Sequence, residues 1–276
     1  ICLDYQQRYP HLFRVLTWEK NLGPNANFLR CWGRARGKYV AICEGDDYWI
    51  APDKLSKQVA LMEHSPDTTL CGAMVRILDD STGKLSKEVL GPSRIKCSYK
   101  IEDVIDDYIF HTSTFLLRHS KFKIPTCARS VYCLDSILIV SAAVQGTLNC
   151  LSDVVSIYRI HTKGIYSSLI KSQKSERLIE FYNTVSQLTD GKYSQMAKEK
   201  ADHKTYWYCR ELVIRGKLVQ ARQFAKKAIK SLTFHAPVRA FMLLFMVFFP
   251  KSFRLLLDAR IRYQNKRILE ETIEHG

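Results

Sequence analysis

Gly37-Lys-Tyr-Val-Ala-Ile-Cys-Glu-Gly-Asp46-Asp47-Tyr-Trp-Ile-Ala-Pro-Asp-Lys54 sets three carboxylates directly after a short apolar run and directly before a helix start. Tyr39 to Cys43 is unbroken apolar sequence between Gly37 and Gly45, β-prone at Tyr39, Val40 and Ile42, which predicts a buried central strand. Pro52 fits a first helical turn, and Leu55, Val59 and Met62 follow at helical spacing. Glu44, Asp46 and Asp47 then fall at the carboxyl end of a strand, the edge of an open α/β sheet where ligands bind. Glu44 and Asp46 stand two apart, so both can turn toward one cation, and Gly45 between them lets a diphosphate come close. Hard oxygen ligands of this kind suit Mg²⁺ or Mn²⁺. The same residues also make a good acidic surface turn, and the segment alone does not choose between the two.

Flanking sequence sharpens the choice. Asn21-Leu-Gly-Pro-Asn-Ala-Asn27 and Ala35-Arg-Gly-Lys38 precede the acids, and Pro52-Asp-Lys-Leu55 with Gln58 follows them. Together with Glu44-Gly-Asp-Asp-Tyr-Trp49 they resemble the family 2 glycosyltransferases of the GT-A fold, in particular the bacterial members that build surface polysaccharides. The resemblance runs over residues 10–165. It implies a GT-A-like open mixed sheet flanked by helices, a nucleotide-sugar donor, and a glycan or lipid-linked acceptor. It gives Asp46 the first claim to the metal, and assigns Asn27, Glu44 and Asp47 to the donor side. The family's opening strand with its Pro-x-Tyr-Asn-like turn, and its Asp-Asp-Gly-Ser-like turn, have no counterpart here, so the expectation is an N-terminally incomplete domain.

The middle of the chain continues the α/β pattern. Leu70 to Leu78 reads as a strand with a turn at Asp79 to Gly83, and Ile101 to Ile109 as a short helix whose Asp103, Asp106 and Asp107 form a solvated face. His111 to Arg118 is β-prone and resembles the family's strand on the acceptor side. Leu134-Asp135-Ser136 opens an apolar helix that ends at Gly146. An acid at that position suits the helix dipole and can cap amides; the resemblance implies instead the general base of an inverting transferase. Thr147 to Leu151 and Val154 to Tyr158 read as two short strands. Tyr158-Arg-Ile-His161-Thr-Lys-Gly164 resembles the family's closing segment, which implies His161 near the metal and Arg159 on the diphosphate. A lone histidine after a strand is otherwise most often structural.

Residues 171–276 read as a separate helical region after a GT-A-like domain at 1–170. Ser175 to Leu188 has helical spacing, and Tyr206 to Ile214 with Leu218 to Ile229 reads as a hairpin turning at Gly216. Ala240 to Phe249 is the densest apolar run; as a helix it spans ~15 Å, half a bilayer core. With the arginines that follow, residues 236–263 fit a helix lying in a membrane interface, against the alternative of a buried core helix. The formal charge of +15 is uneven: residues 1–170 hold 21 Lys and Arg against 17 Asp and Glu, and residues 171–276 hold 21 against 10. Such a field attracts an anionic membrane surface or another polyanion. Nine cysteines without a Cys-x-x-Cys pair read as core thiols of a reducing, cytoplasmic compartment. Gly-Asp-Asp also occurs in polymerases, but there it sits in a tight hairpin, whereas Pro52 to His64 reads as a helix; no nucleic acid is expected. The leading function is a metal-dependent, inverting glycosyltransferase. The alternative is a non-catalytic remnant acting as a membrane-peripheral or interaction protein.

Overall fold

The computed structural model describes residues 1–106, 109–165, 169, 171–231, 237–253, 255, 256 and 259. They divide into two compact units, residues 1–168 with 187–191 and residues 169–186 with 192–276. The first unit carries helices α1 (Cys2–Arg8), α2 (Pro24–Trp32), α3 (Lys54–His64), α4 (Ile101–Asp106) and α5 (Leu134–Gln145), and strands β1 (Tyr39–Ala41), β2 (Tyr48–Trp49), β3 (Thr68–Asp79), β4 (Lys84–Leu90), β5 (Leu116–Arg118) and β6 (Thr147–Ile160). The sheet runs β1-β5-β3-β6-β2, with β4 paired to β3 beside β5. Among the described residues only β3 and β6 pair in parallel, the other strand pairings being antiparallel. This is an open mixed sheet flanked by helices, as the sequence implies.

β3 and β6 form the core of this unit. Leu70, Cys71, Ala73 and Val75 of β3 are fully buried, and α5 covers the sheet with Ile137 to Val140. α5 connects to β6 through Gly146, where an added Cβ would run into the Asp67 carbonyl oxygen. The glycine is therefore required by close approach to the start of β3, its backbone being extended (φ 175°).

Four local expectations are corrected. β1 is half-buried and stands first in the strand order, not in the centre. α3 begins at Lys54, after Pro52, and buries Lys54, Gln58 and Met62, while Leu55 is exposed. β6 is one strand rather than two, because Leu151 to Val154 pass opposite Ala73 and Met74 as an irregularity that leaves the ladder running on either side. Of the nine cysteines, only Cys71, Cys150 and Cys209 are buried. On α4, Asp103 bonds Lys96 and the Lys100 amide; Asp107 and the side chain of Asp106 lie outside the described residues.

The second unit is helical: α6 (Lys171–Leu188), α7 (Ser194–Ile214), α8 (Leu218–Ser231) and α9 (Pro237–Phe248). α7 ends in a Schellman motif, with Lys217 N–H donating to the Leu212 carbonyl at 2.8 Å and Gly216 N–H to Val213 at 3.1 Å. Gly216 takes φ +75°, which makes the expected turn of the α7–α8 hairpin. Leu243, Met246 and Val247 of α9 join Cys209, Leu212 and Ala221 in one core cluster. The other side of the same stretch leaves Phe241, Phe248, Phe249, Leu255 and Leu256 exposed. Part of the core-helix alternative therefore holds for α9. Arg254, Leu257, Arg260, Ile261 and Arg262 of the expected interface segment lie outside the described residues. No helix among the described residues is long and apolar enough to cross a membrane.

Candidate active site at the carboxyl ends of β1 and β6

Between β1 and β2 the chain passes from the first to the last strand in the order, and it does so over residues 42–47. Ile42 N–H still donates to the Phe115 carbonyl at 3.2 Å, prolonging the β1–β5 pairing. Asp47 N–H then closes a turn on the Glu44 carbonyl at 3.1 Å. Tyr48 and Trp49 pair with Ile157 and Ser156, so the acids arrive beside the end of β6.

There Asp46 Oδ2 lies 3.0 Å from His161 Nε2. Asp47 Oδ1 accepts the Arg159 backbone N–H at 3.0 Å. The Arg159 guanidinium is turned to Asp80 Oδ1 at 2.8 Å. Thus Arg159 meets the acid cluster through its backbone, and its side chain is held by a carboxylate just beyond β3.

Glu44 is the most perturbed of the acids. Burial pushes its carboxyl up to about 7, with Asp47 and Asp135 adding repulsion, while its own amide and the Thr112 hydroxyl pull the other way. Its Oε2 is buried without a hydrogen-bond partner. Burial likewise raises Asp47 to about 6, against the pull of the Arg159 amide and with repulsion from Asp46. Asp135 thus lies within electrostatic reach of Glu44. Asp135 is the second residue of α5; the capping position itself is Cys133, whose side chain makes no capping bond.

A buried wall backs the acids. His111 Nδ1 is 3.7 Å from Asp47 Oδ2, too far for a hydrogen bond, and burial pushes the imidazole down to about 4. It is neutral at pH 7, and its contact with Asp47 is no ion pair. Nδ1 faces the Ser113 amide and lies 2.9 Å from Ser113 Oγ, which lies 2.9 Å from Ser156 Oγ. That network assigns the ring proton to Nε2. The ring packs on Tyr158 at 4.2 Å. Beside it, Trp49 Nε1–H donates to the Ser113 carbonyl at 2.8 Å. Gln58 donates to the carbonyls of Cys71 and Thr114, and accepts from Lys54 Nζ at 2.9 Å.

Contacts therefore join the turn of Glu44, Asp46 and Asp47 to Arg159 and His161 at the end of β6, with Asp135 at the start of α5 in electrostatic reach of Glu44. Asn27 is placed otherwise: it is exposed on α2 and lines a cleft of about 380 Å³ with Trp18, Arg30 and Ile165. Its neighbour Asn25 bonds the Ala128 carbonyl at 3.0 Å. Sequence reading missed His111, Thr112, Lys54 and Asp80. His111-Thr-Ser-Thr, a polar run heading a β-prone stretch, was the available signal.

As a cation site the arrangement is open. Among the described residues no group of three His, Cys, Asp or Glu side chains converges on one point. Asp46 and His161 supply two donors, and the acceptor-rich surroundings, with the orphaned Glu44 Oε2, favour positive charge. Two protein ligands completed by phosphate oxygens and water is the usual way Mg²⁺ is held with a nucleotide, so the residues fit a metal that arrives with a diphosphate.

Residues 1–123 match the family model described as Glycosyl transferase family 2. Asp135, Arg159 and His161 lie beyond that match. The chain is similar to the uncharacterized protein Rv1520 of Mycobacterium tuberculosis, 35% identical over 167 residues, which are 60% of this chain and 47% of the relative. The uncharacterized protein Mb1547 of Mycobacterium bovis aligns with the same figures. It is also 30% identical over 183 residues to the uncharacterized glycosyltransferase MJ1057 of Methanocaldococcus jannaschii, covering 63% of this chain and 59% of that one. The chain thus spans about half the length of the mycobacterial relatives it matches.

Proposed function

We propose, from the match of residues 1–123 to the Glycosyl transferase family 2 model, that the protein moves a sugar from a nucleotide-diphosphate donor to a glycan or lipid-linked acceptor, with inversion, in cell-surface polysaccharide synthesis. The observation that carries this reading is the 3.0 Å contact between Asp46 and His161, two residues 115 positions apart, beside three further acids. Asp46 and His161 would hold Mg²⁺ or Mn²⁺, whose charge stabilises a leaving diphosphate. Asp135 takes the proton of the acceptor hydroxyl, since single displacement needs a carboxylate within hydrogen-bond reach of the nucleophile. Glu44 and Asp47 flank Asp46 on the same turn. With Asn27 and Arg159 they serve the donor, Arg159 exchanging Asp80 for phosphate.

A second element of the proposal is attachment to an anionic membrane surface on the cytoplasmic side. It is supported by the exposed Phe241, Phe248, Phe249, Leu255 and Leu256 and by the basic excess of residues 171–276. That same surface favours the second reading, a non-catalytic peripheral protein.

Binding and turnover of a panel of UDP-, GDP- and dTDP-sugars, with manganese and with chelator, decides between them. Binding that needs manganese, and that Asp46→Asn abolishes and Glu44→Gln only weakens, supports the transferase. Nucleotide binding indifferent to chelator and to Asp46→Asn overturns the metal assignment, and no binding of any donor favours the second reading.

A further inference from the structure

Trp49 is 37% exposed, yet its ring is fixed on two sides. Its indole N–H donates to the Ser113 carbonyl at 2.8 Å, and Lys54 Nζ sits 4.4 Å from the ring centroid. Lys54 is itself only 1% exposed, so it is a floor beneath the indole, not a mobile cover. Ser113 is fully buried. With one edge and one face engaged, the exposed surface of the ring is a rigid apolar plate held toward solvent. A tryptophan carries a large apolar area, and leaving a fixed one uncovered beside polar groups forgoes burial that a looser side chain would find.

Its position gives the plate a use. Trp49 follows the acids directly, two residues after Asp47, so the two Cα atoms lie within ~7 Å of each other. Their contacts agree: Asp47 meets His111 and Trp49 meets Ser113, neighbours in one loop. That spacing is about one pyranose ring. The C–H-rich face of a pyranose is the ligand surface that a flat, fixed indole matches, with its hydroxyls free to meet carboxylates at the rim.

We infer that Trp49 is a stacking platform for a pyranose ring of the saccharide substrate, one sugar unit from the acidic cluster. The inference rests on the transfer reaction proposed above for the identity of its ligand, and its test does not need turnover.

The protein carries four tryptophans, so labelling with 5-fluorotryptophan gives few fluorine resonances, and Trp49→Phe assigns the one of interest. Methyl pyranosides of glucose, galactose, mannose and N-acetylglucosamine are titrated singly, then UDP with magnesium. At least one pyranoside should move the Trp49 resonance with saturation, leaving Trp18, Trp32 and Trp207 in place, and UDP should not move it. In Trp49→Leu, saturation-transfer signals of that pyranoside should need about 2- to 10-fold more sugar to appear. The shift should persist in Asp46→Asn, so that loss of the metal assignment and loss of the platform are told apart. Trp49 unmoved by every pyranoside, moved equally with the other three, or moved by UDP alone, overturns the inference.

Discussion

The sheet-bearing unit buries a set of polar groups behind its acids, and the helical unit leaves several phenylalanines exposed beside its own core. In the first, Lys54, Gln58, His111, Ser113 and Ser156 are all at least nine-tenths buried, each with a partner close by. In the second, Phe241, Phe248 and Phe249 stay in solvent although Leu243 and Met246 of the same helix reach the core. Departures from apolar-inside packing are informative in proportion to whether the fold compensates them. Buried polar groups that partner each other form a scaffold for the acids; an uncompensated apolar face belongs to a surface.

Asp135→Asn should separate the units most sharply. Loss of a general base costs ~10²–10⁴-fold in rate, so turnover should collapse while vesicle co-sedimentation stays as in the wild type. A fully active variant that is merely less stable would return Asp135 to a helix-dipole role. From the other side, replacing Phe241, Phe248 and Phe249 together by serine should weaken binding to anionic vesicles at least about tenfold, since each removes apolar area from the contact. Melting temperature and donor binding should hold. Binding abolished by salt alone in the wild type would instead make the contact purely electrostatic.

Lys54 tests the buried side by pH. Burial holds its ammonium down at about 8, from an ordinary 10.5. Between these values the unfolded chain keeps a proton the folded one has released, so stability rises with pH across that window and the penalty is in force below it. Lys54→Met should lack this rise. Urea unfolding should therefore show the wild type gaining about 1–3 kcal/mol over Lys54→Met from pH 8 to 10.5; parallel profiles would mean that water reaches the amine. The smallest effect belongs to Asp80→Asn. The Asp80–Arg159 pair is partly exposed, so its loss should lower the melting temperature by no more than about a degree or two.

Much of the framework was legible from residues alone. β3, the turn at Asp79–Gly83, α5 and the α7–α8 hairpin all follow from periodicity and glycine placement. Asp46 and His161 were named from a motif and a closing segment, and the fold brings them together. What escaped were residues whose role depends on partners far along the chain. Lys54 and Gln58 look like a solvent face of α3 until Thr114, 56 residues beyond Gln58, presents its carbonyl. His111 reads as one polar residue among several until Asp47 and Tyr158 enclose it. β1 was misplaced because an apolar run reports burial and not the number of neighbouring strands. β6 was divided because the exposed Ser152 and Asp153 look like a turn, whereas parallel pairing with β3 resumes after them.

The carbonyls of Ser113 and Thr114 are each held by a side chain from elsewhere, Trp49 and Gln58, and both residues are fully buried. Loops ordinarily lose their amide protons to solvent deuterium early, through openings that cost little. Here the Thr114 N–H, bonded to the His111 carbonyl at 2.9 Å, should exchange on the slow timescale of β3, in the same cooperative unit. A ligand arriving at the acids would then meet a wall set at the moment of folding, and selectivity among ligands would have to come from fit to that fixed shape.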